Sequence, residues 1–384
     1  VDLRKHSFNG KYINAIIVNY FVPTQSTMNK VALLFAFLSI QLNSFSQSAP
    51  KYSNEFLTLG VGAPALAMGG AQVSQVNDVT AGYWNPAGLV HTKGDIQLAL
   101  MHNEYFAGIG KYDYGAFTAA IDTMHRIGIS ILRFGIDDIA NTIELKDSYG
   151  NVNYDRITGF SAADYAFIFS YAGLTRMQGL SYGANAKIIY RKVGDFAKAW
   201  GFGLDVGIQY NKGNWKFGVM AKDVTSTFNA WSYTLNDRTK EVFVETGNEI
   251  PENGLELTLP RLIIGASHQF NLNKFTITPA LDLETTFDKK RNTLVKSNFV
   301  SIDPHMGIEA GYNHFIFLRA GINNVQDKTN IEGKKSKIVQ PNFGIGIKLN
   351  NLSIDYALTN IGNNTNLYSN VFSLRLIINK QNKS

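Results

Sequence analysis

The sequence predicts an all-β chain, a transmembrane antiparallel β-barrel of about fourteen strands with an N-terminal hatch segment in the lumen. Three observations carry this. Composition is strand-like, with 34 Gly, 25 Phe and 18 Tyr but only 17% charged residues. Beyond residue 95, apolar and polar residues alternate with period two in segment after segment. Mean hydropathy is −0.09, and past the leader no run of roughly 18 apolar residues occurs, which excludes a helical membrane protein.

The clearest stripe sets Trp200, Phe202, Leu204, Val206, Ile208 and Tyr210 against Gly201, Gly203, Asp205, Gly207 and Gln209. One face is wholly apolar and aromatic at both ends, as a strand between hydrocarbon and an aqueous interior must be. Similar stripes predict strands beginning near residues 96, 105, 125, 163, 179, 199, 214, 260, 274, 304, 315, 339, 352 and 371. The connections sort by parity. The second, sixth, eighth, tenth and twelfth are short and turn-like, at Asp122-Thr123, Lys212-Gly213-Asn214, Asn271-Leu272-Asn273, Asn313-His314 and Asn350-Asn351. Odd-numbered ones are mostly longer, notably 134–162, 224–259, 288–303 and 324–338. Short periplasmic turns and long outer loops are what insertion from the inside imposes.

Ahead of the barrel, the stretch from Met28 reads MNKVALLFAFLSIQLNSFSQ. Lys30 supplies the cationic start, Val31 to Ile40 the apolar core, and Ser44 and Ser46 the small residues before a cleavage point. Residues 28–46 are therefore expected to be a secretory signal peptide, with Gln47 as the mature N-terminus. Residues 1–27 precede the Met of that leader and read as an over-extended gene start.

Residues 47–94 form the expected hatch and 95–384 the barrel. The hatch segment is rich in small residues, in Leu59-Gly60-Val61-Gly62-Ala63-Pro64 and Ala67-Met68-Gly69-Gly70-Ala71, which suit close backbone approach in a narrow space. Asn85, Pro86, Ala87 and Gly88 make a turn with a mechanism, because the Asn side chain bonds nearby backbone while Pro fixes one dihedral.

Chemistry is conspicuously sparse. With no cysteine there is neither a disulfide framework nor thiolate chemistry. Neither a nucleophile-elbow nor a phosphate-loop pattern occurs, and none of the seven histidines sits in a zinc-ligand spacing. The chain is expected to be no enzyme and to carry no metal or cofactor. The formal net charge of +6 falls to +3 once residues 1 to 46 are set aside. With no basic, aromatic-interleaved cluster, nucleic acid is not an expected partner. Asp137-Asp138 falls in the first long loop, where a solvated turn explains it.

Two features remain for function. Lys187, Arg191, Asp205, Asp282, Glu284, Glu309, Arg319, Lys348, Asp355 and Arg375 lie opposite the apolar stripes and are expected to form a lumenal network. The longest loop is expected to hold Phe228, Trp231, Tyr233 and Phe243, a candidate partner-contact surface because aromatics bury much area at little rotamer cost.

Asn54-Glu55-Phe56-Leu57, Ala67-Met68-Gly69-Gly70-Ala71, Asn77-Asp78 and Asn85-Pro86-Ala87-Gly88-Leu89 together resemble the N-terminal signature of the PorV/PorQ family of the type IX secretion system. The likeness continues through Ser297-Asn298-Phe299-Val300-Ser301-Ile302-Asp303-Pro304 and Asp355-Tyr356-Ala357-Leu358. That family is in turn similar to the FadL long-chain fatty-acid transporters, which share the Asn-Pro-Ala element. The resemblance implies an outer-membrane barrel that holds cargo sorting domains or translocon partners on its extracellular loops, with membrane lipid around it. The alternative it implies is a FadL-like transporter of hydrophobic small molecules, which requires an apolar pocket beneath the outer loops and a lateral opening beside it.

Overall fold

The computed structural model describes residues 53–147, 149–329, 333–359 and 368–379. The expected leader and the segment before it lie outside them.

Alternation becomes architecture directly. The barrel staves are β1 (Ile96–Tyr105), β2 (Gly110–Ala120), β3 (His125–Asn141), β4 (Thr158–Leu174), β5 (Leu180–Val193) and β6 (Ala197–Lys212). Next come β7 in two pieces (Trp215–Lys222 and Thr227–Tyr233) and β8 in three (Gly254–Thr258, Arg261–His268 and Phe270–Leu272). The circuit ends with β9 (Phe275–Thr286), β10 (Ser301–Tyr312), β11 (Ile316–Thr329), β12 (Lys335–Leu349), β13 (Leu352–Thr359) and β14 (Ser369–Ile378). Each pairs antiparallel with its neighbours, and β1 pairs with both β2 and β14, closing a barrel of 14 strands as the sequence predicts. Closure leaves no free edge, which hydrocarbon demands of any strand-built span.

On β6 the two faces separate as expected. Trp200, Phe202, Val206 and Ile208 are exposed on the outside, whereas Gly201, Gly203, Asp205, Gly207 and Gln209 are buried inward. The same apolar exterior runs round the wall, through Leu100, Ile131, Phe217, Leu318, Phe343 and Leu374. Such a belt is stable only in lipid, and the chain is a multi-pass β-barrel of the bacterial outer membrane.

The short turns sit together at one rim, and left-handed backbone at Asn273, Asn313 and Asn350 makes three of them. At the opposite rim the loops are shorter than expected. β3 and β4 extend to Asn141 and Thr158, so the 134–162 connection shrinks to 142–157, and 324–338 shrinks to 330–334. Strands that rise above the lipid carry polar residues on both faces, so alternation stops before the ladder does. Asp137-Asp138 likewise lies in β3, at a β-bulge where Asp138 takes φ 57°. The long 224–259 connection contains the upper halves of β7 and β8, leaving 234–253 as loop with one helix, Asp237–Glu245.

Two gaps in the pairing of the described residues bear on the lumen. In β7, residues 223–226 leave the ladder opposite Leu259-Pro260 of β8, where proline has no N–H to contribute. Between β10 and β11 pairing stops at Met306↔Ile322. Above it, Val295 and Lys296 from the loop after β9 pair with Ile302 and Ser301, occupying the position β11 has vacated.

Residues 53–94 fill the lumen. They form 3-10 turns at Glu55–Thr58 and Pro86–His91 and short helices α1 (Ala63–Ala67) and α2 (Ala81–Trp84). Val61, Ala63, Ala67, Ala81 and Leu89 are completely buried. Glycines in the wall permit this closeness. A Cβ on Gly321 of β11 would lie 2.2 Å from the Met68 carbonyl carbon, and one on Gly183 of β5 would lie 2.5 Å from the Ala87 nitrogen.

Candidate functional site: a lumen divided by its hatch

The hatch separates two chambers of about 340 Å³ each. The outer one, on the long-loop side, is lined by Arg291, Asn292 and Thr293 of a loop, by Gly69, Gly70 and Val73 of the hatch, and by the upper wall. The inner one, on the short-turn side, is lined by Met68, Gln72 and Asp78 of the hatch and by Gln269, His314 and Ser353 near the turns.

Hydrogen bonds to the wall hold the partition in place. Asp282 on β9 accepts the backbone N–H of Gln72 at 2.7 Å and of Val73 at 2.8 Å through one carboxylate oxygen. Ala63 N–H donates to Ser373 of β14 at 2.7 Å, and Asn185 of β5 donates to the Gly82 carbonyl at 2.9 Å. Ser74 and Ser267 meet at 3.1 Å, and Arg375 of β14 pairs with Asp78. Bonds from an ionised group to backbone N–H are among the stronger kinds, so these anchors set the cost of moving the hatch.

The candidate turn lies at the centre of this contact. Asn85 Oδ1 accepts the Ala87 N–H at 3.2 Å, the expected local bond. Its amide also donates to the Val73 carbonyl at 2.9 Å and to the Ile208 carbonyl of β6 at 3.1 Å, tying hatch to wall. Pro86, Ala87 and Gly88 are buried against β5 and β6.

Most of the expected lumenal charges satisfy one another, whereas Lys348 has no ion-pair partner among the described residues and Asp282 binds hatch backbone. Lys187 Nζ reaches Asp205 at 2.7 Å and Asp223 at 2.5 Å, all three buried, and this triad braces the break in β7. Arg319 joins Glu309 at 2.6 Å to Asp355 at 2.8 Å, and Arg191 joins Asp164 to Glu256. The outer chamber is two-sided. Leu57, Leu59, Leu66, Trp84, Ile168 and Ile263 contribute apolar surface, while Arg261, Glu284 and Asp303 stand among its polar lining. Lys222 crosses between the two, its ammonium 4.5 Å from the Tyr83 ring centroid and 5.8 Å from that of Trp84.

The expected aromatic loop surface is not assembled. Phe228 lies on β7 facing lipid, while Trp231 and Tyr233 lie on the same strand. Trp231 turns inward, donating to Glu256 at 2.6 Å beneath the Arg191 guanidinium. Phe243 alone sits in the loop, on the helix. The run Asp223-Val224-Thr225-Ser226 imitates a strand end, which is why the sequence places Phe228, Trp231 and Tyr233 in a loop. At the loop after β9, Asp288 is held below the usual carboxylate range: burial pushes it up, but the Arg291 hydrogen bonds and charge outweigh that.

No local sequence pattern marks Asp282, Ser267 or Asp78 as hatch anchors. Their partners lie 193 to 297 residues away, beyond the reach of any local pattern.

The fold, a closed antiparallel barrel of 14 strands around its own N-terminal segment, is shared with solved transporter structures. The chain is similar in structure to the Ralstonia pickettii toluene transporter TbuX, at 15% identity over 83% of this chain and 98% of that one, with a TM-score of 0.53. The P. putida toluene transporter TodX matches at 15% identity over 84% and 99%, and the monoaromatic hydrocarbon channel CymD at 13% over 84% and 98%, both with TM-scores of 0.53. No protein-family model matches the chain, and no curated protein does.

Proposed function

We propose that this protein is a non-catalytic, FadL-like channel that passes hydrophobic small molecules across the outer membrane. The observation that carries the reading is the partition itself: two chambers in one lumen, the outer with an apolar side, separated by a hatch held on discrete hydrogen bonds. A solute lodged against Leu59, Leu66 and Trp84 sheds its apolar hydration there, as small-molecule sites commonly allow. Onward passage requires the hatch to shift or the wall to part beside it. The 223–226 break and the β10–β11 seam are the two places where the ladder offers least resistance. The described neighbours named for hydrocarbon transport support the reading at the level of fold.

A PorV-like role in type IX secretion draws less support. No family match accompanies it, and three of the four aromatics proposed to hold cargo are on a strand. The test is uptake by proteoliposomes containing the purified chain. Labelled toluene should enter faster than in protein-free vesicles, and labelled glucose should not. Equal rates for toluene with and without protein would refute the channel, and co-purification of secreted cargo from native membranes would favour the secretion role.

A further inference from the structure

Charge is unevenly spread around the outer rim. Residues 287–300 carry four basic side chains against one acid, and 324–338 four against two, whereas 234–253 carry two against five. On the basic side, three lysines gather round the carboxylate of Asp327, apart from the Asp288–Arg291 pair. Lys296 forms an ion pair with Asp327, and Lys335 and Lys337 act on the same group through space. Asn292 fastens the loop there, donating to the Asp327 carbonyl at 3.0 Å and accepting the Asp327 N–H at 3.1 Å.

The direction of Lys335 and Lys337 follows from register, and Lys296 reaches them through Asp327. On β12, Val339, Phe343, Ile345, Ile347 and Leu349 are exposed on the outer face, while Gln340 and Asn342 are buried inward. Lys335 and Lys337 continue the outward set, and Lys337 lies opposite Asp327. From Leu349 to Val339, at about 3.4 Å per residue and about 40° of tilt, the stripe rises about 26 Å, the height of a barrel's apolar band. The lysines thus begin where hydrocarbon ends, at the depth of the outer-leaflet headgroups. Three ammonium groups against one carboxylate leave an excess of positive charge at that depth.

We propose that Lys296, Lys335 and Lys337 form a binding site for the phosphate groups of an outer-leaflet glycolipid, whose acyl chains lie along Val339 and Phe343. Position and charge complement such a ligand: phosphate above, hydrocarbon below, both on one outward face. The site is independent of what passes through the lumen.

The probe is diphosphoryl lipid A added to the purified full-length protein in detergent, with binding read by native mass spectrometry. One lipid A should be retained in preference to zwitterionic phosphatidylcholine. The Lys335→Gln/Lys337→Gln variant should bind about 30-fold more weakly at low ionic strength, and Lys335→Arg/Lys337→Arg should restore binding. Unchanged affinity in the Gln variant, or equal retention of phosphatidylcholine, would overturn the proposal. Displacement of lipid A by millimolar inorganic phosphate would also overturn it, making this a site for free anions.

Discussion

Asp282, in the middle of β9, accepts the backbone N–H of Val73 in the hatch at 2.8 Å, and the same oxygen accepts that of Gln72. One side chain of the wall thus satisfies two consecutive main-chain donors of the plug. In Asp282→Leu both donors lose their partner inside the lumen, at about 1–3 kcal/mol each. Limited proteolysis should then cut within residues 68–78 while the barrel keeps its heat-modifiable gel mobility. An uncut hatch would show that the carboxylate is dispensable.

Gly321 is where β11 touches the hatch, a new Cβ meeting Met68 and Gly69 within 2.3 Å. Backbone cannot yield as a flexible side chain does, so Gly321→Val should push the hatch out of register at about 1–3 kcal/mol. Hydrogen exchange read by mass spectrometry should show faster exchange at 63–72 and no change in β4 or β5.

Removing Lys187 leaves Asp205 and Asp223 buried beside each other. Breaking a buried ion pair by deleting one partner costs about 3–5 kcal/mol, so Lys187→Met should lower the temperature of the folded-to-unfolded gel shift. The double variant Lys187→Met/Asp223→Asn should recover part of the loss. No recovery would mean that the triad is not what braces the β7 break.

The Asp288–Arg291 pair gives the loop after β9 a pH dependence. Because Asp288 titrates lower in the folded loop than when unfolded, its contribution is present above the ordinary aspartate value of about 3.9 and lost as pH falls through the lower folded value. Amide protection across 287–300 should hold from pH 7 to about 4 and fall in more acidic buffer. Asp288→Asn should remove that step and leave protection lower at neutral pH.

How far the fold was legible follows from where two solvents meet. Between residues such as Trp200 and Tyr210 each face sees one medium only, so hydrophobicity alternates and the stave is plain. Above the lipid both faces meet water, so the upper part of β3 beyond Phe134 carries no alternation, while the upper parts of β7 and β8 are cut off from their lower parts by the break at 223–226 and Leu259-Pro260. Bulges hide strands by the same logic, since Asp138 and Asp223 bring turn chemistry into the middle of a wall. The hatch announced itself through small residues, and Asn85 through its turn. That Asn85 also reaches Ile208, or that Asp282 serves Val73, depends on pairs brought together only by closure.

The most direct measurement exploits a chain without cysteine. Ser74 in the hatch and Ser267 in β8 are buried with their hydroxyl oxygens 3.1 Å apart, so Ser74→Cys/Ser267→Cys places two thiols for one disulfide between plug and wall. Toluene uptake into proteoliposomes should fall to the protein-free rate when this bond is oxidised and return with reductant. Uptake at the full rate through the oxidised protein would show that solute passes without any movement of this part of the hatch.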